Sequence, residues 1–272
     1  LVSQLFKETI DINKQNIDGN TILILAVCTL NIDIIQFISQ TFQQTIDINI
    51  KNVSGTTALS RAIRSSRLDI IRCLSITFKN TIDINERDEY NNYTVFMLAM
   101  QKLNFNAIKD LYETFADTID INKQNVFGYT ALILAIKKSD IKIIKFIIEK
   151  FKYTIDVNKQ DVFGHTAFMH AIKCSNMDVV QLIYNNFQNV INFSTKDKHE
   201  NTIFMIAAQS MNPGIITFLS NILNNVIHIN EQNKEGNTAF MLAVQNENSS
   251  IFKLIYNTFK DTIDISIQNK IG

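Results

Sequence analysis

Residues 128–135 read Gly-Tyr-Thr-Ala-Leu-Ile-Leu-Ala, and variants of this phrase recur along the whole 272-residue chain. Its threonine returns every 36 residues, with a single interval of 37 between Thr57 and Thr94. The full series is Thr21, Thr57, Thr94, Thr130, Thr166, Thr202 and Thr238. A glycine stands two positions before most of these threonines, and Asn92 and Glu200 take its place twice. Agreement at one fixed period predicts an array of stacked repeats.

Each repeat unit predicts two helices separated by a polar break. After Thr130 comes the apolar run 131–136, and from Ile141 to Phe151 apolar residues recur at the i, i+3, i+4 spacing of an amphipathic helix. The threonine is a favourable N-cap for the first helix, and the glycine supplies a positive φ in the preceding turn. The expected N-caps of the second helices are Asn31, Asn104, Asp140, Asn176, Asn212 and Asn248, with Arg67 as the exception.

Two further columns recur at fixed places in the unit. An apolar residue ends each second helix, and we expect this column to pack in the core: Phe42, Phe78, Phe115, Phe151, Phe187, Leu223 and Phe259. An aspartate recurs in the turn that closes most units: Asp11, Asp47, Asp83, Asp120, Asp156 and Asp264. Repetition at one slot favours turn hydrogen bonds over paired catalytic acids.

The phrases at 128–135 and 236–243, together with Ile155-Asp156-Val157-Asn158, resemble the ankyrin repeat. The resemblance implies an all-α, ankyrin-like helical solenoid of about seven stacked helix-turn-helix units with β-turn fingers, incomplete at both ends. It implies one domain over 1–272, with units that start near 16, 52, 88, 125, 161, 197 and 233, and partial units at 1–15 and 263–272.

The chain departs from the family pattern in two places. The usual Thr-Pro-Leu-His becomes Thr-Ala-Leu-Ile at 130–133, and we expect apolar packing to replace the lost hydrogen bond. The glycine that usually closes the second helix is absent, and three extra residues stand in its place, as at Lys152-Tyr153 before Thr154. We expect them to lengthen the second helix by nearly a turn.

Composition excludes several classes of protein. Lys+Arg and Asp+Glu are both 26, and a net charge of zero disfavours nucleic-acid binding. No apolar run approaches about 20 residues, so no membrane insertion is expected. The cysteines are odd in number and far apart (Cys28, Cys73 and Cys174), which predicts no disulfide framework and a reducing, cytoplasmic location.

Catalytic and cofactor sites are not predicted, and the chain is not expected to be an enzyme. His170 and Cys174 have a metal-compatible spacing of four on one predicted helix, but the sequence offers no third ligand in reach, so we predict no metal site. No glycine-rich phosphate loop occurs, since nearly all the seven glycines serve the repeat turn. No cofactor is expected.

In families that resemble this one, partners contact the turn tips, the residue before the capping threonine and the end of the first helix. In this chain aromatic and basic residues crowd these slots in the middle units, which is the composition of a binding hot spot. The candidate partner-binding residues are Arg64, Tyr90, Tyr93, Lys102, Phe127, Tyr129, Lys137, Lys138, Phe163, His165 and Lys173. The alternative is that the aromatics stack on each other and the lysines are merely solvated.

The sequence therefore predicts a protein-interaction scaffold that binds another protein on its concave finger and first-helix face, through an acidic extended or helical segment. The alternative is a targeting or substrate-recruiting segment of a larger enzyme or effector whose catalytic part lies outside this chain. Residues 1–6 align with part of a second helix, and 271–272 stop before the next expected threonine. We therefore expect an excerpt from a longer array, with end-to-end self-association through uncapped termini.

Overall fold

A computed structural model describes residues 11–89, 91–223, 227–246 and 249–271. Within these ranges the chain forms fourteen α-helices and no strand, with an isolated antiparallel bridge between Arg87 and Thr94. The chain divides into two compact units, one up to Ala131 and one from Leu132 onward. Each unit is an array of helix pairs. The single-domain description of 1–272 stays a prediction.

The first unit contains three helix pairs and the second contains the remaining helices. The bounds in the first unit are α1 Ile22–Thr29, α2 Ile32–Thr41, α3 Ala58–Arg64, α4 Leu68–Thr77, α5 Val95–Gln101 and α6 Phe105–Phe115. The following helices are α7 Ala131–Lys137, α8 Ile141–Phe151, α9 Ala167–Lys173, α10 Met177–Phe187, α11 Ile203–Ala208, α12 Pro213–Ile222, α13 Ala239–Gln245 and α14 Ser249–Phe259. Each short first helix is followed by a longer, amphipathic second helix, as predicted.

Helix starts are fixed by side-chain caps. Thr166 Oγ1 accepts from the Met169 amide at the start of α9. The same cap is made by Thr21, Thr57, Thr94, Thr202 and Thr238. The predicted second-helix caps Asn31, Asn104, Asp140, Asn176 and Asn212 are confirmed, and Arg67 makes no such bond. Asn248 lies outside the described residues. Each cap satisfies an amide that the helix leaves without a partner.

The turn before each first helix requires a left-handed residue. Gly164 has φ +85° and Gly236 has φ +80°, in the conformation that glycine adopts without a Cβ penalty. Asn92 and Glu200, which replace the glycine, keep the same conformation with φ of 54° and 64°. The turn geometry is therefore preserved where the glycine is lost, and Glu200 carries backbone strain there.

The predicted lengthening of the second helix is wrong. Helix α8 ends at Phe151, and the extra residues that follow form a turn. The amides of Thr154 and Ile155 both donate to the Phe151 carbonyl at 2.9 Å, and the Thr154 hydroxyl donates to it at 3.1 Å. The hydroxyls of Thr45, Thr81, Thr118 and Thr262 make the same bond in their own repeats. The threonine satisfies the helix end, so no closing glycine is needed.

Apolar side chains of both helices form the core of each unit. In the first unit, α3 packs on α5 and α4 packs on α6; in the second unit, α11 packs on α13 and α12 packs on α14. The core column at the second-helix ends is confirmed for Phe78, Phe115, Phe151, Phe187 and Leu223, while Phe42 and Phe259 are half-buried.

An asparagine ladder joins neighbouring repeats at the turn that closes each repeat. Asn49 Nδ2 donates to the Thr81 carbonyl at 2.7 Å, and Asn49 Oδ1 accepts from the Asp83 amide at 3.0 Å. Asn13, Asn85, Asn158 and Asn230 make equivalent pairs of bonds. The recurring aspartates serve as turn acceptors, as predicted; Asp47 Oδ1, for example, accepts from the Asn49 amide at 3.0 Å.

Candidate functional site

A tight turn precedes each first helix, and we call it a finger. The fifth finger comprises residues 161–165, and there Asp161 Oδ1 accepts the amides of Phe163 and His165, each at 2.8 Å. In the second finger Asn52 holds Ser54 and Thr56 in the same way, at 3.0 and 2.9 Å. One Asn or Asp thus fixes each finger, as in an Asx-turn.

Sequence analysis missed this finger residue, although it left a signal. An Asn or Asp recurs five or six residues before every capping threonine: Asn16, Asn52, Asp88, Asn125, Asp161, Asp197 and Asn233. The residue just before the threonine then reaches the next finger. Asn52 Nδ2 donates to Asn20 Oδ1 at 2.8 Å, and Asn233 Nδ2 donates to Asn201 Oδ1 at 2.7 Å. The pre-threonine slot is therefore a structural link between repeats.

The predicted aromatic contact residues divide into exposed and buried groups. Phe127 and Phe163 lie at finger tips with 43% and 52% of their surface exposed. Phe127 stacks on the half-buried Tyr129, with ring centroids 5.7 Å apart. The expected exposure of Tyr93 and His165 is wrong, because both occupy the pre-threonine slot and are buried. Tyr90 lies outside the described residues.

The predicted basic residues are exposed, with one exception. In the first unit, Lys102 directly follows helix α5. In the second unit, Lys137 and Lys138 lie at the end of α7, and Lys173 lies at the end of α9. Arg64 is half-buried and its Nη2 lies 2.8 Å from Asp88 Oδ2, on the third finger. The Asp88 side chain is only 2% exposed. Arg64 therefore has a structural role as a partner of a buried carboxylate.

A buried histidine–aspartate cluster occupies the second unit. It consists of Asp161, His165 and His170, each buried, with Asp197 on the far side of the His165 ring. His170 Nε2 lies 2.8 Å from Asp161 Oδ2, and His165 Nδ1 lies 3.6 Å from the same oxygen. Cys174, which the sequence spacing paired with His170, instead directs its thiol to the Ile136 carbonyl at 3.5 Å. The partner of His170 Nε2 is Asp161, a residue of the finger.

Burial decides the direction of the pKa shift for the two histidines of this cluster, but not for its aspartate. Burial lowers the pKa of His170 to about 4, although the nearby Asp161 carboxylate works in the opposite direction. Burial and then the charge of Lys173 lower the pKa of His165. Burial alone would raise the pKa of Asp161, but hydrogen bonds from the His165 amide and from His170 lower it overall. The cluster at neutral pH thus combines neutral imidazoles with a carboxylate.

Comparison with known proteins identifies the family. A sequence profile described as ankyrin repeats (3 copies) matches residues 1–88, 73–161, 96–193, 151–230 and 188–269. The chain belongs to the ankyrin-repeat family. A solved structure of the ankyrin repeat domain of Bcl-3, described as a unique member of the IκB protein family, matches with a TM-score of 0.67 at 20% identity. The match covers 88% of this chain and 99% of that chain. No curated protein matches the chain.

These findings confirm the predicted fold class, an all-α ankyrin-like helical solenoid. Membership of the ankyrin-repeat family supports a protein-interaction scaffold with a protein partner. The ankyrin fold is typically a non-catalytic binding module. Among the helices that the structure describes, none has the length and apolar character needed to cross a bilayer.

Proposed function

We propose that this ankyrin-repeat protein binds an acidic segment of a partner protein through its finger tips and first-helix ends. The observation that carries the proposal is the composition of these slots in the second unit. There the exposed Phe163 and the exposed lysines Lys137, Lys138 and Lys173 occupy slots that partners contact in this family. An exposed aromatic side chain beside basic groups suits an apolar residue flanked by carboxylates.

The first unit offers the same slots with a weaker basic component. Phe127 and Tyr129 form its aromatic pair and Lys102 its exposed cation, while Arg64 pairs with Asp88. Of the proposed contact residues, Tyr93 and His165 support the fingers from within, since both are buried. We therefore assign direct contact to Phe127, Tyr129, Phe163 and the four exposed lysines.

A peptide-display experiment tests the proposal without knowledge of the partner. Random peptides of about 16 residues are selected on the immobilised protein, and the affinity of the selected peptides is then measured by fluorescence anisotropy. We expect enrichment of acidic residues beside aromatic or aliphatic ones. The double variant K137E/K138E should bind the selected peptides at least roughly tenfold more weakly, because each glutamate repels the peptide carboxylates that the lysine attracts.

The second helix of the same repeat supplies a matched control. Lys142 and Lys145 are exposed on α8, so K142E/K145E makes the same change in net charge elsewhere. This control should retain binding, and F163A should weaken it without changing its salt dependence. Unchanged affinity in K137E/K138E, or equal loss in K142E/K145E, would refute the assigned surface. A recruiting segment of a larger enzyme or effector would use the same slots, so the experiment applies to that alternative as well.

Two finer expectations stay predictions. A cytoplasmic location rests on the cysteines, and Cys28, Cys73 and Cys174 carry free thiols. End-to-end self-association is tested by sedimentation over a range of protein concentrations, where a mass independent of concentration would contradict it.

A further inference from the structure

We propose that Asp161, His165 and His170 form a Zn²⁺ site in the fifth repeat, a function separate from partner binding. One ligand atom from each of the three residues lies within 4.8 Å of the others. Two imidazole nitrogens and one carboxylate oxygen are a donor set typical of Zn²⁺ sites, whereas Ca²⁺ and Mg²⁺ prefer oxygen alone. This inference departs from the sequence-based prediction of no metal site, which considered only His170 and Cys174.

Two of the three ligand–ligand distances lie close to those around a tetrahedral ion, and the third is no more than 4.8 Å. Ligand atoms bound to tetrahedral Zn²⁺ at about 2.0–2.1 Å lie roughly 3.3 Å from each other. Asp161 Oδ2 is 3.6 Å from His165 Nδ1 and 2.8 Å from His170 Nε2. The second pair is hydrogen-bonded, so an ion would replace that bond and move the two atoms apart by about 0.5 Å. The His170 proton then resides on Nδ1, and the ring stays neutral.

The surroundings of the cluster already orient two of its ligands. Asp161 Oδ1 is occupied by the amides of Phe163 and His165, which directs Oδ2 toward the histidines. His165 Nε2 faces Asp197 Oδ2 at 3.4 Å. A proton on that nitrogen, held by Asp197, leaves the Nδ1 lone pair for the ion. This carboxylate–histidine–metal arrangement is the common way in which proteins fix a histidine ligand.

Charge and access are also compatible with an ion. Asp161 and Asp197 supply two negative charges, which offset the repulsion from Lys137 and Lys173, the cations near the two histidines. The His165 side chain is 11% exposed, so the ion can enter past its edge. Three protein ligands leave a fourth position for water.

The repeat itself provides variants that should fold. Leucine occupies the His170 slot at Leu25, Leu98, Leu134 and Leu242, and asparagine occupies the His165 slot at Asn20, Asn201 and Asn237. The double variant H165N/H170L therefore introduces residues that occupy the same two slots in other repeats. The remaining histidines, His199 and His228, are exposed, and H199N/H228D is the matched control with the same number of histidines removed.

The test titrates chelator-treated protein with Zn²⁺ against a coloured zinc indicator, and with Co²⁺ to record the visible spectrum of tetrahedral coordination. We expect one ion per wild-type chain, retained in H199N/H228D and lost in H165N/H170L. D197N should bind about 10–100-fold more weakly, as expected for loss of a supporting carboxylate. Circular dichroism in metal-free buffer establishes that each variant is folded.

Two results would overturn the proposal: folded wild-type protein that takes up no stoichiometric Zn²⁺, or equal binding by wild type and H165N/H170L. If H165N/H170L does not fold, D161N serves instead, since Asn16, Asn52, Asn125 and Asn233 occupy that slot in other repeats. Undiminished affinity in a folded D161N would then be contrary to the assignment.

Discussion

The Arg64 guanidinium donates to Asp88 Oδ2 at 2.8 Å and thereby neutralises a carboxylate that is almost completely buried. The bond joins the end of α3 to the third finger. Asp88 also accepts the amides of Asn91 and Tyr93 through Oδ1, so its carboxylate holds the finger and the neighbouring helix together. Arg64 thus stabilises the scaffold at a slot where five other repeats present glutamine or lysine and the first presents Cys28.

A double-mutant cycle measures this coupling. R64Q and D88N each install a residue found at the same slot elsewhere in the array, as at Gln101 and Asn125. We expect R64Q to lower the free energy of unfolding by about 1–2 kcal/mol, because it leaves the Asp88 carboxylate without its cation. The coupling energy should be about 1 kcal/mol, a modest value because the Arg64 side chain is 35% exposed. Urea denaturation of the four proteins gives the cycle, and a coupling near zero would show that solvent screens the pair.

Much of the fold could be predicted because the residues that form each helix and turn recur at fixed positions of the repeat. The capping threonines, the second-helix caps and the turn aspartates each act within a few residues, so a fixed period reveals them. The helix end at Phe151 was misjudged because extra residues suggest more helix, whereas the Thr154 hydroxyl and amide hydrogen-bond to the last carbonyl.

The candidate sites depended on relations between repeats, which periodicity does not display. Tyr93 and His165 were expected on the surface, but the finger turns this slot toward its neighbour and buries it. The approach of His170 to Asp161 requires the first helix to fold back under its own finger. Asp161 and His170 are only nine residues apart in the sequence, whereas Asp197 comes from a finger 36 residues after Asp161, so its contact with His165 has no local sequence signal.

The asparagine ladder should contribute measurably to stability. N49A removes the bond to the Thr81 carbonyl and the bond from the Asp83 amide. We expect the free energy of unfolding to fall by about 1–2 kcal/mol, a modest sum for two bonds because the site is exposed and water replaces part of the loss. Asn106 is an exposed asparagine on α6, and N106A should change stability by no more than about 0.5 kcal/mol. Equal effects of both substitutions in chemical denaturation would contradict a specific role for the ladder.

Glycine and glutamate at one finger slot should respond in opposite directions. Gly164 has φ +85°, and an added Cβ would lie 2.7 Å from the Lys198 amide nitrogen, so G164A should lower the free energy of unfolding by about 1–2 kcal/mol or more. Glu200 holds the equivalent backbone at φ 64°, and E200G should relieve that strain and stabilise the protein by about 0.5–1 kcal/mol. Thermal unfolding compares the two variants, and destabilisation by E200G would indicate that the Glu200 side chain contributes more than its backbone strain removes.

Acid should destabilise the protein through His170 in metal-free buffer that contains a chelator. The folded-state pKa of His170 is about 4, below the ordinary value of 6.5, because burial disfavours the imidazolium. The unfolded chain therefore binds the proton first as the pH falls, and stability decreases between about pH 6.5 and about pH 4. Asp161, His165 and Lys137 are the charged or titratable groups around the ring, and the pKa of His165 is lowered as well, so it adds to the same trend.

The expected loss attributable to His170 is roughly 3 kcal/mol across that interval. H170L places leucine in the slot, as at Leu134, and removes the titrating group, so its stability should depend much less on pH over the same range. Urea denaturation of both proteins at about pH 7.5, 5.5 and 4.5 gives the comparison. Parallel curves for wild type and H170L would mean that His170 becomes protonated in the folded protein without penalty, and that its burial in the fifth repeat does not exclude charge.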